Sequence, residues 1–309
     1  MMDKVVVITG PTASGKTSVS VEVAKKVGGE IINADSMQIY KMCDIGSAKV
    51  LESEKQRILH HMIDIIEPGD NFSTAQYKEA AAACIKDIIK RGKAPVISGG
   101  TGLYIDALVK NIDFSTDSGD KYIRERLNAL LEEKGSEAVY ELLKKRDLAA
   151  AGTVHMNNSR RVIRYLEILE SFEGTLEEYM TKTVSTPVEY DFRIFLLWPE
   201  REFIYKRAEQ RVDEMLSAGL VDEVRALIKA GVKEDAQSMM GIGYKETYGY
   251  ISGRTGYDEF VKLLKRNTRR YAKRQFTWLK RYTDAEIISV DEKSNAADLA
   301  ETIYKFYIK

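Results

Sequence analysis

The sequence predicts an α/β fold, an open parallel sheet interrupted by an all-helical insertion. Three observations predict it. Short apolar, β-branched runs at 5–9, 95–98, 192–198 and 287–290 alternate with longer segments of helical spacing, the pattern of successive βαβ units. The first run leads directly into a glycine-rich turn that opens a helix. From 113 to 190 strand-like runs stop and the chain becomes helical and densely charged. We therefore expect a core built from 1–112 and 191–309, with an insertion over 113–190.

The glycine-rich turn is Gly10-Pro11-Thr12-Ala13-Ser14-Gly15-Lys16-Thr17, with the G-x-x-x-x-G-K-T spacing of a P-loop. Gly10 and Gly15 let the backbone bend until successive N–H groups point at phosphate oxygens. The helix that follows places its positive end at the same point. Lys16 adds a charge for the outer phosphate, and the Thr17 hydroxyl is a candidate Mg²⁺ ligand. Gly10, Thr12, Ala13, Ser14, Gly15, Lys16 and Thr17 are thus the candidate diphosphate-binding residues of a P-loop NTPase-like core. The spacing specifies a di- or triphosphate and does not specify ATP.

Bulk composition narrows the classes. The 309 residues are 44% hydrophobic and 30% charged, with 47 basic and 47 acidic side chains. Such a chain buries a sizeable core, and its net charge gives no hint of a nucleic-acid partner. Cys43 and Cys84 are too few for a disulfide framework and lack metal-ligand spacing. No apolar run reaches membrane-spanning length, and the N-terminal residues run straight into the first strand without a signal-peptide pattern. We expect a cytoplasmic protein with no membrane association.

The remaining elements follow in order. Residues 18–27 form the first helix, stopped by Gly28 and Gly29. Residues 30–34 form a second strand that delivers Asp35-Ser36-Met37-Gln38 to the ligand-facing end of the sheet. Asp35 there is either a turn cap or a general base beside the phosphates, and position alone leaves both open. His60 and His61, adjacent in sequence, point different ways and read as structural rather than metal-binding. Residues 73–91 form an amphipathic helix with Ala75, Ala82, Ile85, Ile88 and Ile89 on one side. The third strand runs into Gly99-Gly100-Thr101-Gly102, a second glycine turn in which Thr101 offers its hydroxyl to a substrate or caps the next helix.

The helical block from Asp120 to Met180 contains one helix around Tyr122–Leu131, a second around Val139–Leu143, and a third over Arg160–Glu167, after Asn157-Asn158-Ser159. Arg160, Arg161 and Arg164 are either a solvated face or a grip on RNA phosphates. Arg207 and Arg211, four residues apart, are placed to converge on an anion or to pair with Glu209 or Asp213. Between Val261 and Tyr282 stand nine Lys or Arg and no acid, Arg269, Arg270, Lys273 and Arg274 among them. Aromatic residues interleave with them. In a chain of zero net charge this favours RNA backbone as the partner over a membrane surface.

Taken together, 10–17, Ala34-Asp35-Ser36-Met37-Gln38-Ile39-Tyr40, Asp44-Ile45-Gly46, Gly99–Tyr104, 158–167, 207–216 and Gly241-Ile242-Gly243-Tyr244-Lys245-Glu246 closely resemble the bacterial tRNA dimethylallyltransferase (tRNA isopentenyltransferase) family over nearly the whole chain. The chain departs from that pattern at Asn33, where serine is expected, at Met37, where arginine is common, and at 46–50, where threonine and proline are usual.

The resemblance implies transfer of a dimethylallyl group from dimethylallyl diphosphate to N6 of adenosine 37 of tRNA, with Mg²⁺ as cofactor and diphosphate as leaving group. It implies Asp35 as the base and Thr101 as a substrate contact. Arg207 or Arg211 would neutralise the leaving group. Ser36, Met37 and Gln38 would line the adenosine pocket. Arg124 and Ser159, Arg160, Arg161, Val162, Ile163 and Arg164 would grip the anticodon loop, with the basic helix on the stem. A monomer is expected. The rival readings are a P-loop small-molecule kinase and a non-catalytic RNA-binding NTPase switch.

Overall fold

The computed structural model describes residues 2–114, 121–184 and 186–308. Strands β1 (Lys4–Thr9), β2 (Gly29–Asn33), β3 (His60–His61), β4 (Ala94–Gly99), β5 (Asp191–Pro199) and β6 (Glu286–Val290) form one sheet in the order β3-β2-β4-β1-β5-β6. Every pairing is parallel. Both faces are covered, which is why the strands read as continuous apolar runs rather than alternating ones. On β1, Val5 and Val7 enter one core while Val6 and Ile8 enter the other.

The first core packs the sheet against α3 (Thr74–Lys90), α4 (Gly102–Val109), α10 (Leu220–Lys229), α11 (Tyr244–Ile251) and α12 (Tyr257–Leu279). The second packs it against α1 (Lys16–Val27) and α13 (Ala296–Tyr307). α9 (Arg201–Ser217) follows β5, and α2 (Glu52–Lys55) is a single turn in the connection to β3. The α3 helix is capped by Ser73, whose hydroxyl accepts from Gln76 N at 3.2 Å. Its buried stripe is Tyr77, Ala81, Ile85 and Ile88; Ala75, Ala82 and Ile89, expected on that face, are only partly buried because the large Tyr77 ring sets its centre.

Chain order positions the site. The connection from β1 goes to β2, and that from β4 crosses past β1 to β5. Neighbours β1 and β4 therefore send their chains in opposite directions, and a crevice opens at their C-terminal ends. On β2, Glu30 is buried and accepts from Arg91 Nη2 at 2.7 Å, Lys93 Nζ at 2.7 Å and His61 Nε2 at 2.8 Å. Arg91, then Lys93 and His61, hold its carboxyl far below the usual range. His60 Nδ1 meets Ile58 O at 2.9 Å, so the two histidines have structural partners.

The chain divides into two compact units, 1–109 with 189–309 and 110–188. The second is helical: α5 (Lys121–Arg146), α6 (Leu148–Gly152), α7 (Ser159–Ser171) and α8 (Leu176–Thr183). Gly135, at φ +79°, breaks α5 where the sequence suggests two helices. Asp120, the expected start of this block, lies outside the described residues. Leu127, Val139, Leu143, Val162, Leu166 and Leu169 centre its core. Asp147 caps two helices at once, accepting from Ala150 N and Leu176 N, each at 2.9 Å. Among the described residues, no helix is long and apolar enough to cross a membrane.

Candidate active site

The turn 10–17 joins β1 to α1 at the mouth of the crevice. Lys16 begins α1, and its Nζ folds back to donate to Gly10 O at 3.0 Å and Pro11 O at 2.7 Å. The Ser14 hydroxyl is buried without a hydrogen-bond partner among the described residues. A buried unpaired hydroxyl is costly, and here it stands within a turn shaped for phosphate oxygens. From α9, Arg211 Nη1 donates to Thr12 Oγ1 at 3.3 Å, and Arg207 approaches the turn at Gly15. Both arginines thus reach the turn. Glu209 and Asp213 are instead bonded to Arg269 and Lys265 of α12.

Asp35 follows β2 and faces the same space. Its Oδ1 accepts from Met37 N at 2.8 Å, so the turn-capping contact is made while the carboxylate still lines the cavity. Loss of hydration raises its pKa above the usual carboxylate value, against the opposing pull of the Met37 N–H, Lys16 and Arg211. Lys16 is lowered to about 7, first by burial and then by Arg211, with Asp35 opposing. Arg211 is lowered by burial and by Arg207. Lys16, Arg207 and Arg211 thus gather around the P-loop end of a partly dehydrated cavity that Asp35 also lines, an arrangement that favours a polyanion at that turn.

Two contiguous cavities occupy the crevice. One, about 690 Å³, is lined by Lys16, Thr17, Asp35, Gln38, Arg207 and Arg211. The other, about 320 Å³, shares Thr12, Asp35, Arg211 and Tyr271 with it and extends along Met37, Ile242 and Leu264. Ser36 also lines the second cavity. Gln38 is held by its side-chain amide, which donates to Ala48 O at 3.1 Å and Ser47 O at 3.3 Å. Among the described residues no group of three or more His, Cys, Asp or Glu could hold a metal. Thr17 and Asp35 are among the oxygen donors that line the cavity.

Several expectations need correction. The Thr101 hydroxyl accepts from Ser36 N at 3.0 Å and donates to Ser36 Oγ at 3.3 Å, so in the structure it braces the Asp35–Ser36 turn, whose Ser36 lines the second cavity. Val162 and Ile163 are buried in the helical unit's core, so their side chains cannot meet RNA. On the same unit, Arg124 and Arg164 bond to the buried Glu167, at 2.9 and 3.3 Å, which gives them a structural task. Arg161 donates to Tyr165 Oη at 2.8 Å, Asn158 caps α7, and Arg160 is exposed beside the half-buried Ser159. On α12, Arg269 pairs with Glu209, whereas Arg270, Lys273 and Arg274 are exposed.

Sequence reasoning missed α10 and, on it, Glu223, which accepts from three successive N–H groups of Asp44, Ile45 and Gly46. It also passed over Gln275, while Tyr271, one of the interleaved aromatics of the basic helix, lines both cavities. A signal for Gln275 was present: an uncharged polar residue stands in register with Phe260, Leu264, Thr268 and Leu279 on the buried stripe of α12.

A parallel sheet with a P-loop at its switch point, and a carboxylate facing that loop across one cavity, defines a P-loop enzyme of the α/β class. The family profile described as IPP transferase matches residues 38–282. A tRNA dimethylallyltransferase of Acetivibrio thermocellus is 43% identical over 307 residues, covering 99% of this chain and 98% of that protein. The crystal structure of a full-length tRNA isopentenylpyrophosphate transferase from Bacillus halodurans matches with a TM-score of 0.72 at 38% identity, covering 99% of this chain and 97% of that one. A eukaryotic dimethylallyltransferase acting on tRNA matches with a TM-score of 0.83 at 28% identity, covering 99% of this chain and 79% of its own. The chain belongs to the IPP transferase family, that of the tRNA dimethylallyltransferases.

Proposed function

We propose that this chain transfers a dimethylallyl group from dimethylallyl diphosphate to N6 of adenosine 37 in the anticodon stem-loop of tRNA, as a cytoplasmic monomer. The observation that carries the reading is the shared cavity in which Asp35 faces Lys16 and Arg211. The N6 lone pair attacks carbon 1 of the prenyl group, the bond from that carbon to oxygen breaks, and its electron pair leaves with diphosphate. Negative charge builds on the leaving group, where Lys16, Arg207, Arg211 and the P-loop N–H groups stabilise it. No phosphoryl group moves.

Asp35 takes the N6 proton. An aromatic exocyclic amine is a weak nucleophile, and a carboxylate of raised pKa is the better base for it. The more apolar second cavity, along Met37, Ile242 and Leu264, suits a five-carbon tail or the flat face of a base. Mg²⁺ fits the donors present. It takes hard oxygen ligands and is usually held by one or two side chains together with substrate phosphates. Thr17, which lines the cavity at the start of α1, is that side chain. The ion would supply charge neutralisation on the diphosphate.

The experiment mixes the protein with Mg²⁺, labelled dimethylallyl diphosphate and unmodified tRNA, with ATP and free AMP in parallel tubes. Label in tRNA at adenosine 37 without ATP consumption is expected. Steady ATP turnover with unlabelled tRNA would overturn the reading in favour of a kinase or a switch, and label in AMP alone would replace the acceptor.

A further inference from the structure

Gln275 is the polar side chain in which three parts of the site meet. It lies on the buried face of α12 and is 6% exposed. Its Oε1 accepts from the Thr12 N–H of the P-loop at 2.7 Å. Its Nε2 donates to the carbonyl of Gly100, in the second glycine turn, at 3.0 Å. These two bonds fix the amide's orientation, because a flip would set donor against donor and acceptor against acceptor. Space around it is equally specific: a Cβ on Gly100 would stand 2.5 Å from Gln275 Nε2. The glycine turn is therefore shaped around this amide. Thr12 is also the residue whose hydroxyl accepts from Arg211.

We propose that Gln275 is a positioning residue that sets the phosphate-binding turn in register against the Gly99–Gly102 turn. The assignment rests on the proposed function for the identity of the diphosphate. A P-loop stabilises an anion only as well as its N–H groups are aimed beforehand. With Thr12 N–H tied to α12, the first N–H group after Pro11 is fixed before any ligand arrives, and those after it inherit that direction. Arg211, leaning on the Thr12 hydroxyl, is aimed by the same contact.

The test measures binding of inorganic diphosphate with Mg²⁺ by calorimetry, on the full chain. Gln275→Leu keeps the bulk and loses both bonds, leaving a buried donor and acceptor unpaired, and we expect affinity to fall about 10- to 100-fold. Affinity for tRNA, read separately, should stay within about twofold, since the residue faces inward while phosphate contacts come from exposed cations. Gln275→Glu gives a signature that lost packing cannot. Above neutral pH its carboxylate has no hydrogen for Gly100 O and repels the anion. Protonated, it donates to Gly100 O and accepts from Thr12 N as the amide does. Binding, normalised to wild type at each pH, should therefore recover as pH falls.

A folded Gln275→Leu protein that binds diphosphate like wild type, or a Gln275→Glu deficit that does not change with pH, would overturn the proposal. If the leucine variant does not fold, the glutamate pH series decides. Because the readout is diphosphate binding, a wild-type chain that failed to prenylate tRNA would count against the proposed function and leave this comparison intact.

Discussion

Glu223 accepts a hydrogen bond from the Tyr244 hydroxyl at 2.8 Å, and the pair clamps a loop that lines both cavities. The same carboxylate accepts from Asp44 N at 2.9 Å, Ile45 N at 2.6 Å and Gly46 N at 3.0 Å, so four donors fill its four lone-pair sites. The Tyr244 ring stands 2.6 Å from where a Cβ on Gly46 would lie, which restricts that position to glycine. The clamped loop continues to Ser47 and Ala48, whose carbonyls hold Gln38. Two stretches that carry the family resemblance, 44–46 and 241–246, are thus joined through a residue that belongs to neither.

Glu223→Gln tests the clamp. The amide turns one acceptor into a donor facing N–H groups, which should destabilise the protein by about 1–3 kcal/mol. The consequence for function is a raised KM for tRNA, because Gln38 and its loop border the proposed adenosine pocket, with KM for dimethylallyl diphosphate nearly unchanged. Denaturant unfolding and steady-state kinetics check the two parts. An unaltered KM for tRNA would mean that the loop does not hold the acceptor.

Asp35→Ala should lower transfer by about 10²–10⁴-fold while tRNA affinity stays near wild type. The wild-type pH profile carries the same signature. The base must be deprotonated, and burial raises the Asp35 pKa. Activity should therefore begin to fall, as pH drops, at a higher pH than an ordinary aspartate would give. Wild-type turnover by the alanine variant would remove Asp35 from the chemistry.

Lys16 gives a prediction of opposite sign. Its free-state pKa is lowered to about 7, chiefly by burial. A diphosphate beside it favours the charged form, so binding at pH 8 should take up a proton, and affinity should decline as pH rises above 7. Calorimetry in buffers of different ionisation enthalpy measures the uptake directly. Lys16→Met should abolish it; persistence of the uptake would assign the proton to another group.

The sequence carried the fold because its signals are local. Fully apolar strands, a fixed-spacing turn and a switch to charged helical periodicity each occupy a few adjacent residues. The long-range partners were not legible. Nothing near Glu223 in sequence points to a loop almost 180 residues away, and nothing near Thr101 shows that its hydroxyl turns to Ser36. The pairing of Arg164 with Glu167, three residues on, was one of the alternatives the sequence offered, whereas that of Arg124 with the same buried carboxylate, 43 residues away, was not legible. Burial of Val162 was legible from its spacing with Leu166 and Leu169 on one face of α7, whereas an RNA role for Val162 and Ile163 came only from the family resemblance.

That distinction sets the last prediction. Arg270, Lys273 and Arg274 are exposed on α12 and make no ion pair among the described residues, whereas Arg269 bonds to Glu209. Free cations release counterions when they meet phosphates. Each of the three changed to alanine should reduce the slope of log affinity for tRNA against log salt by about 0.7–0.9. Arg269→Ala removes a cation already neutralised by its partner and should change the slope much less. Its cost appears in stability, by about 0–1 kcal/mol for a partly exposed pair. Salt-titrated tRNA binding for the four single variants separates the classes. Equal slopes for wild type and the Arg270, Lys273 and Arg274 variants would make this face of α12 a solvated surface and move the RNA contact elsewhere.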